Sequence, residues 1–271
     1  MVAKLAHLSD LHFGKIAHPS IVDALVDEVN AGDFTLVVIS GDLTQRARLS
    51  EYRAAAEMIA AMKPRTLVVP GNHDVFPWWF PIRRVFSPLE RFWTYITDET
   101  LPKFEADGIA VLGINSAHGR TVKGGLIGID EQIAISEYFG PRPQSVFKVL
   151  VVHHHLTQIQ ALGPHDVARK ARRTLDRATS TGVDLILCGH LHVSHIEPID
   201  IVPEKHRLVI ASAGTATSSR GRHKHRETNF YNVVSVFDTH FEIEERRFDP
   251  KREQFASDHT TRFERAFEEP D

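Results

Sequence analysis

The stretch Leu67-Val68-Val69-Pro70-Gly71-Asn72-His73-Asp74 restricts the fold more than any other part of the chain. A short apolar run halted by proline and glycine reads as a buried strand entering a tight turn, and the turn carries an amide, an imidazole and a carboxylate. Open α/β sheets keep their ligands at the carboxyl ends of strands. Four further apolar runs end in the same manner. Lys4 to Ser9 stops at Asp10-Leu11-His12, and Thr35 to Ile39 closes on Ser40-Gly41-Asp42-Leu43-Thr44. Phe147 to Val152 runs into His153-His154-His155, and Asp184 to Cys188 ends at Gly189-His190-Leu191-His192. Side chains alternate along a strand, which predicts that Asp10 and His12 point one way together, and His190 and His192 likewise.

Between these runs the pattern is helical. From Ser20, residues Ile21, Val22, Leu25, Val26 and Val29 recur at helical spacing up to Gly32, and Ser50 opens a second helix to about Met62, ended by Pro64. Strand, helix, strand, helix, strand implies right-handed crossovers and a largely parallel sheet, with Asp10, Asp42 and Asn72 on its carboxyl edge. Ile109 to Ile114 is another strand, ending at Asn115-Ser116. Helices are expected near Asp130 to Phe139 and from about Asp166, the latter with Val167, Ala168, Ala171, Leu175 and Ala178 as its apolar side. His195 to Ile201, Arg207 to Ala211, Asn229 to Phe237 and His240 to Phe248 read as short strands of a second, mostly antiparallel sheet.

Residues 1–248 are thus expected to form one domain. Residues 249–271, dominated by charge and without apolar periodicity, are expected to be a frayed or loosely docked tail. Residues 75–108 break the rhythm with Phe76-Pro77-Trp78-Trp79-Phe80-Pro81 and then Phe86, Phe92, Trp93 and Tyr95. They read as an insertion whose aromatics either anchor it to the body or form a lid or substrate wall. On the second reading Arg83, Arg84 and Arg91 are available to a phosphate.

The 271 residues are 42% hydrophobic and 25% charged, enough for a full core. A net charge of -3 gives no support for a protein that mainly coats nucleic acid or an anionic membrane, so nucleic acid is the less favoured partner. The basic run Arg220-Gly221-Arg222-His223-Lys224-His225-Arg226 reads as a solvated hairpin loop or as a grip on a phosphodiester. The single cysteine, Cys188, forms no internal disulfide and sits in an apolar strand, which points to a packed thiol in a reducing compartment. No secretory signal pattern opens the chain and no apolar run reaches ~18 residues, so no membrane span and a cytoplasmic location are expected.

Carboxylates, an amide oxygen and imidazoles without thiolates suit Mn, Fe, Zn or Co better than a structural zinc site of the cysteine type. Seven or so ligands exceed what one ion holds. Two ions roughly 3.5 to 4 Å apart, sharing one carboxylate, account for them, and that arrangement serves in-line displacement at phosphorus. His118, His165 and His195 fall outside the pattern and read as surface or supporting groups.

The order Asp-x-His, Gly-Asp, Gly-Asn-His-Asp, His, Gly-His-x-His, from about Leu5 to His195, resembles the calcineurin-like metallophosphoesterase superfamily. Gly41-Asp42-Leu43-Thr44 with Glu51-Tyr52, and the later Ala213-Gly214-Thr215-Ala216-Thr217, resembles most the bacterial class III cyclic-nucleotide phosphodiesterases. The resemblance implies a four-layer α/β/β/α sandwich with two mixed β-sheets flanked by helices. It also implies hydrolysis of phosphodiesters, such as cyclic nucleotides or small diesters, by a hydroxide bridging two divalent ions, with Fe and Mn favoured.

By the same resemblance Asp10, His12 and His192 hold the first ion, Asp42 bridges, and Asn72, His154 and His190 hold the second. His154 is selected because relatives place proline two residues after the ligand, where this chain has Leu156; with that proline missing, His153 stays a competitor. His73 is placed to protonate the leaving group or bond a phosphoryl oxygen, with Asp74 orienting its ring. A nuclease or phospholipid-directed phosphoesterase is the alternative, followed by a non-catalytic metal-binding scaffold for protein contacts. Relatives are often dimeric, which implies a homodimer.

Overall fold

The computed structural model describes residues 1–121, 123–159, 163–199, 208–221 and 228–265. Its first half is the expected alternation: β1 (Ala3–Leu8), α1 (Ile21–Ala31), β2 (Leu36–Ile39), α2 (Leu49–Ala61) and β3 (Thr66–Val68). β1, β2 and β3 are adjacent and parallel, with Leu5 opposite Leu36 and Ile39 opposite Val68. Both faces of these strands are covered, which is why they are mostly apolar and β2 is so without a break. Ala6, Leu8, Val37 and Ile39 pack under Leu25 and Val29 of α1 and Tyr52, Ala55 and Met58 of α2. Leu5, Leu36, Val38 and Leu67 face the other way.

Their partners belong to a second sheet, in the order β4 (Lys103–Ala106), β5 (Ile109–Gly113), β6 (Phe147–Val151), β7 (Leu185–Cys188), β9 (Leu208–Ser212) and β8 (His195–Ile199). β5, β6, β7 and β9 run parallel, and β4 and β8 close the edges antiparallel. Val111, Val149, Leu187 and Val209 meet Leu5, Val38 and Leu67 in the core between the sheets. Full burial of each such aliphatic side chain contributes ~1.5–3 kcal/mol. Leu112, Leu150 and Ile186 point outward beneath α5 (Ile129–Phe139) and α6 (Ala171–Ser180). The result is the expected four-layer α/β/β/α sandwich. Cys188 ends β7 as a buried thiol.

Three expectations are corrected. The late strands do not form a sheet of their own: β8 and β9 finish the second sheet, whereas β10 (Phe230–Val236) returns to the first and lies antiparallel to β1, with Leu5 opposite Val234. Nor is the charged C-terminal stretch loose as far as the described residues run, to Arg265. β11 (His240–Asp249) pairs with β12 (Gln254–Glu264), whose Phe255 and Phe263 are buried at either end of an otherwise exposed edge strand. Two anchors spaced eight apart leave no visible periodicity, and the backbone ladder holds the charged middle in place. Finally, α6 starts at Ala171 rather than near Asp166. Ala168 and Arg169 are drawn into extended pairing with His155, Gly125 and Ile127, and Lys170 takes a left-handed φ of 66°.

The insertion contains α3 (Pro81–Phe86) and α4 (Glu90–Tyr95). Phe76 and Phe92 are buried and fix it to the body, while Trp78, Trp79, Phe80 and Phe86 are exposed. The basic run beyond Gly221 lies outside the described residues up to position 227.

Candidate metal centre

Two groups of donor atoms converge at the carboxyl ends of the strands. Asp10, His12, Asp42 and His192 form one, and His153, His154 and His190 the other, the atoms in each lying within 4.8 Å of one another. Strand alternation does not aim them. β1 has ended at Leu8, and Asp10, His12, Asp42, His190 and His192 all have positive φ, between 47° and 73°. Such backbone costs of order 1–3 kcal/mol per residue and persists only where surroundings enforce it. Here the turns after β1 and β2 are zipped together: Asp10 N–H donates to Gly41 O, His12 N–H to Asp42 O and Phe13 N–H to Leu43 O. The Ala213–Thr217 segment closes the same loop, with Thr215 Oγ1 donating to Asp10 O and Thr217 Oγ1 to Leu11 O, both at 2.7 Å.

Two glycines make the approach possible. A Cβ on Gly71 would stand 2.2 Å from Asp42 Oδ1, and one on Gly189 would stand 1.8 Å from Ser9 Oγ. No other residue allows these turns to sit so close.

Each buried carboxylate spends one oxygen on the protein and leaves the other without a partner. Asp10 Oδ2 accepts from Ser9 Oγ at 2.7 Å and from the His190 N–H at 2.9 Å. Asp42 Oδ1 accepts from the His73 N–H at 2.7 Å. Asp10 Oδ1 and Asp42 Oδ2 accept no hydrogen bond. Burial works against the charged form of both. The surrounding imidazoles, His192 first for Asp10 and His153 first for Asp42, nonetheless hold both well below the usual carboxylate range.

The histidines are oriented by backbone carbonyls. Nδ1 of His12 faces Thr44 O at 3.2 Å, Nδ1 of His192 faces Arg220 O at 2.7 Å, and Nδ1 of His153 faces Ser40 O at 2.7 Å. A carbonyl only accepts, so Nδ1 carries a proton and Nε2 is the nitrogen whose lone pair a cation can take, in exchange for any proton on it. The Nε2 atoms of His12 and His192 then point at each other across 3.1 Å, and Asp10 Oδ1 lies 3.6 Å and 3.2 Å from them. Facing lone pairs and an orphaned carboxylate oxygen fit a cation between them.

On the other side, His153 Nε2 lies 3.4 Å from Asp42 Oδ2 and 3.3 Å from Asn72 Oδ1. His154, the residue selected from the sequence, sets its Nδ1 2.8 Å from Ser116 Oγ, while its Nε2, without a hydrogen-bond partner, belongs to the same donor group as His153 and His190. Of the two, His153 is the one whose ring nitrogen comes within 4.0 Å of an Asp42 oxygen.

His73 sits at the rim with its Nδ1 2.8 Å from Gln45 O and its Nε2 3.1 Å from Arg220 Nη1. Asp74 does not orient that ring. Its oxygens accept from Gly71 N, Leu43 N, Thr44 N and Thr44 Oγ1, clamping the turns after β2 and β3 together. Glu51 and Tyr52 support the same region, Glu51 Oε2 accepting from Arg46 N and Arg48 N and Tyr52 OH donating to Asp74 O. His118, His165 and His195 join neither donor group. Sequence reasoning missed Ser40, Gln45 and Arg220 as orienting groups. Arg220 lies 28 residues from His192, and no local spacing announces such a contact.

Beside Asn72 and His73 a cleft of about 350 Å³ opens, walled by Trp78 and Trp79 and flanked by Arg46, Arg84, Lys123 and Arg220. Among the described residues no helix is long and apolar enough to cross a membrane.

Known proteins give the site a context. The chain is 26% identical over 205 residues to a zebrafish (Danio rerio) protein described as a transmembrane protein with metallophosphoesterase domain, covering 73% of this chain and 42% of that one. It thus spans less than half of that relative. Over 83 residues, 26% of this chain and 29% of the other, it is 35% identical to the glycerophosphodiester phosphodiesterase GpdQ of Enterobacter lignolyticus. In three dimensions it is similar to the purple acid phosphatase PPD1 of yellow lupin, with a TM-score of 0.72 at 13% identity, covering 98% of this chain and 54% of that one. The model of the calcineurin-like phosphoesterases matches residues 3–194, from the first strand through the turn that carries His190 and His192, and the chain belongs to that family.

Proposed function

We propose that this chain hydrolyses phosphodiesters with a pair of divalent cations. One observation carries the reading: Asp42 Oδ2, buried and without a hydrogen-bond partner, lies 3.7 Å from His12 Nε2 and 3.4 Å from His153 Nε2, between the two donor groups. Asp10, His12 and His192 would hold one ion, Asn72, His153 and His190 the other, and Asp42 both. His153 takes the place expected of His154 because its Nε2 is the one turned toward Asp42 and Asn72. Oxygen and nitrogen donors suit Mn, Fe, Zn or Co, with Fe and Mn favoured. Bound there, such ions lower the pKa of water and offset charge on a phosphoryl group.

The chain's own groups position and protonate. With Nδ1 of His73 held by the Gln45 carbonyl, Nε2 is the atom presented to the cleft; with a proton on both nitrogens the ring would donate from Nε2 to a phosphoryl oxygen, or pass that proton to the departing ester oxygen and keep the one on Nδ1. Arg220 brings a guanidinium to the same point, and Arg46, Arg84 and Lys123 add positive charge to a lining that contains no carboxylate. A small diester, cyclic nucleotides included, fits this cleft. The indole wall of Trp78 and Trp79 favours a second reading, a phospholipid diester, over a nuclease.

The test is metal-reconstituted protein assayed with bis(p-nitrophenyl) phosphate, cyclic nucleotides, glycerophosphodiesters and monoesters. Metal-stimulated cleavage of diesters is expected. Absence of cleavage across the panel, with two ions bound, refutes the activity.

A further inference from the structure

We infer that α3 and the turn before it form a docking surface for an anionic lipid bilayer. α3 buries none of its side chains. Ile82, Val85 and Phe86 recur at i, i+3 and i+4, so they share one face, and they are 74%, 52% and 81% exposed. Trp78, 77% exposed, with Trp79 and Phe80, continues that apolar surface into the preceding turn. Of the ten large apolar residues exposed among the described residues, six lie between positions 78 and 86. A helix on a globular protein turns its apolar stripe inward. This one is held the opposite way. Arg84 donates through Nη1 to Phe76 O and through Nη2 to Thr121 O, both at 2.5 Å, tying the polar side of the helix to the body.

The chemistry of the patch selects its occupant. Indole and phenyl rings beside cations are the composition of elements that lie in a bilayer interface. Residues 75–89 contain no Asp or Glu, and Arg83 and Arg46 are exposed at the margins with Lys123 across the cleft, on a chain whose net charge is -3. Positive charge is thus concentrated around the apolar face, complementary to anionic headgroups. Trp78 and Trp79 also wall the cleft at Asn72 and His73, so a docked molecule would open that cleft at the headgroup level. The inference stands apart from the proposed hydrolysis, because binding is measured without turnover.

The experiment is co-sedimentation of the full chain with vesicles of phosphatidylcholine alone and of phosphatidylcholine mixed with phosphatidylglycerol, with tryptophan emission followed in parallel. Binding to the mixed vesicles, weakened by salt and accompanied by a blue shift, is expected. Ile82→Ser combined with Phe86→Ser should lower the bound fraction roughly tenfold or more with an unchanged circular dichroism spectrum. Arg83→Gln should reduce only the preference for anionic vesicles. No binding to either vesicle, or equal binding by the doubly substituted chain, overturns the inference. So does self-association in sedimentation velocity that the double substitution abolishes, since a second copy would then cover the face.

Discussion

His153 Nε2 stands 3.4 Å from Asp42 Oδ2 while the other nitrogen of the ring is 2.7 Å from the Ser40 carbonyl. That contact keeps a proton on Nδ1 and turns Nε2 toward the carboxylate shared by both donor groups. His153→Ala is therefore expected to reduce the metal content of reconstituted protein from two ions toward one. It should cut turnover at least about a hundredfold, whereas His154→Ala keeps both ions. Asp42→Ala should lose both. Elemental analysis decides it; full metal content in His153→Ala returns the role to His154.

His73 Nε2 lies 3.1 Å from Arg220 Nη1 on the wall of the cleft. His73→Ala should lower kcat by roughly 10²–10⁴ with both ions bound, the range for loss of a general acid. Arg220→Gln should act mainly on KM, since it removes a charge that binds the phosphoryl group before and during reaction. Equal kcat in His73→Ala and wild type removes that residue from the chemistry.

Five candidate ligand residues with left-handed backbone and two orphaned carboxylate oxygens are features that cation binding stabilises. Mn at about a hundred times its Kd should add ~2.7 kcal/mol, seen as a Tm increase of roughly 5–10 °C. Calorimetry of Asp42→Ala should show no increase. A metal-independent Tm in the wild-type chain contradicts the ligand assignment.

His7 is fully buried beneath the site, Nε2 donating to Ser40 Oγ at 2.9 Å. Burial pushes its pKa down to about 3, with Asp10 only partly opposing. Below pH 6.5 the unfolded chain takes up a proton that the folded chain refuses, so stability falls with pH, by at most about 1.4 kcal/mol per unit, until the folded pKa is reached. Urea unfolding between pH 7 and about 4 should show a shallower decline in His7→Gln than in wild type. Parallel declines dismiss this contribution.

Cys188 is buried at the end of β7 against His155, and burial pushes its thiol up to about 12. Only the thiolate reacts readily. The native chain should thus resist Ellman's reagent and release one equivalent of chromophore in guanidinium; rapid labelling of native protein is the contrary result.

The sequence by itself determined the elements and the chemistry available to them. Runs such as Leu36–Ile39 and Leu185–Cys188 are apolar on both faces because a sheet or a helix covers each side, and they stop where a polar turn begins. That made the strand ends, and the donor types at Asp10, His12, Asp42, Asn72, His190 and His192, legible. Direction was not. Which of His153 and His154 turns toward Asp42 depends on the Ser40 carbonyl, 113 residues away, and the convergence of Asp10 with His12 comes from left-handed turns enforced by the neighbouring loop rather than from strand alternation. Arg220 reaches His73 across 147 residues, and the charged C-terminal stretch is held by two phenylalanines and a backbone ladder that composition does not reveal. Local pattern sets what a segment can bury, but the orientation of a side chain is decided by partners that only the assembled sheets bring near.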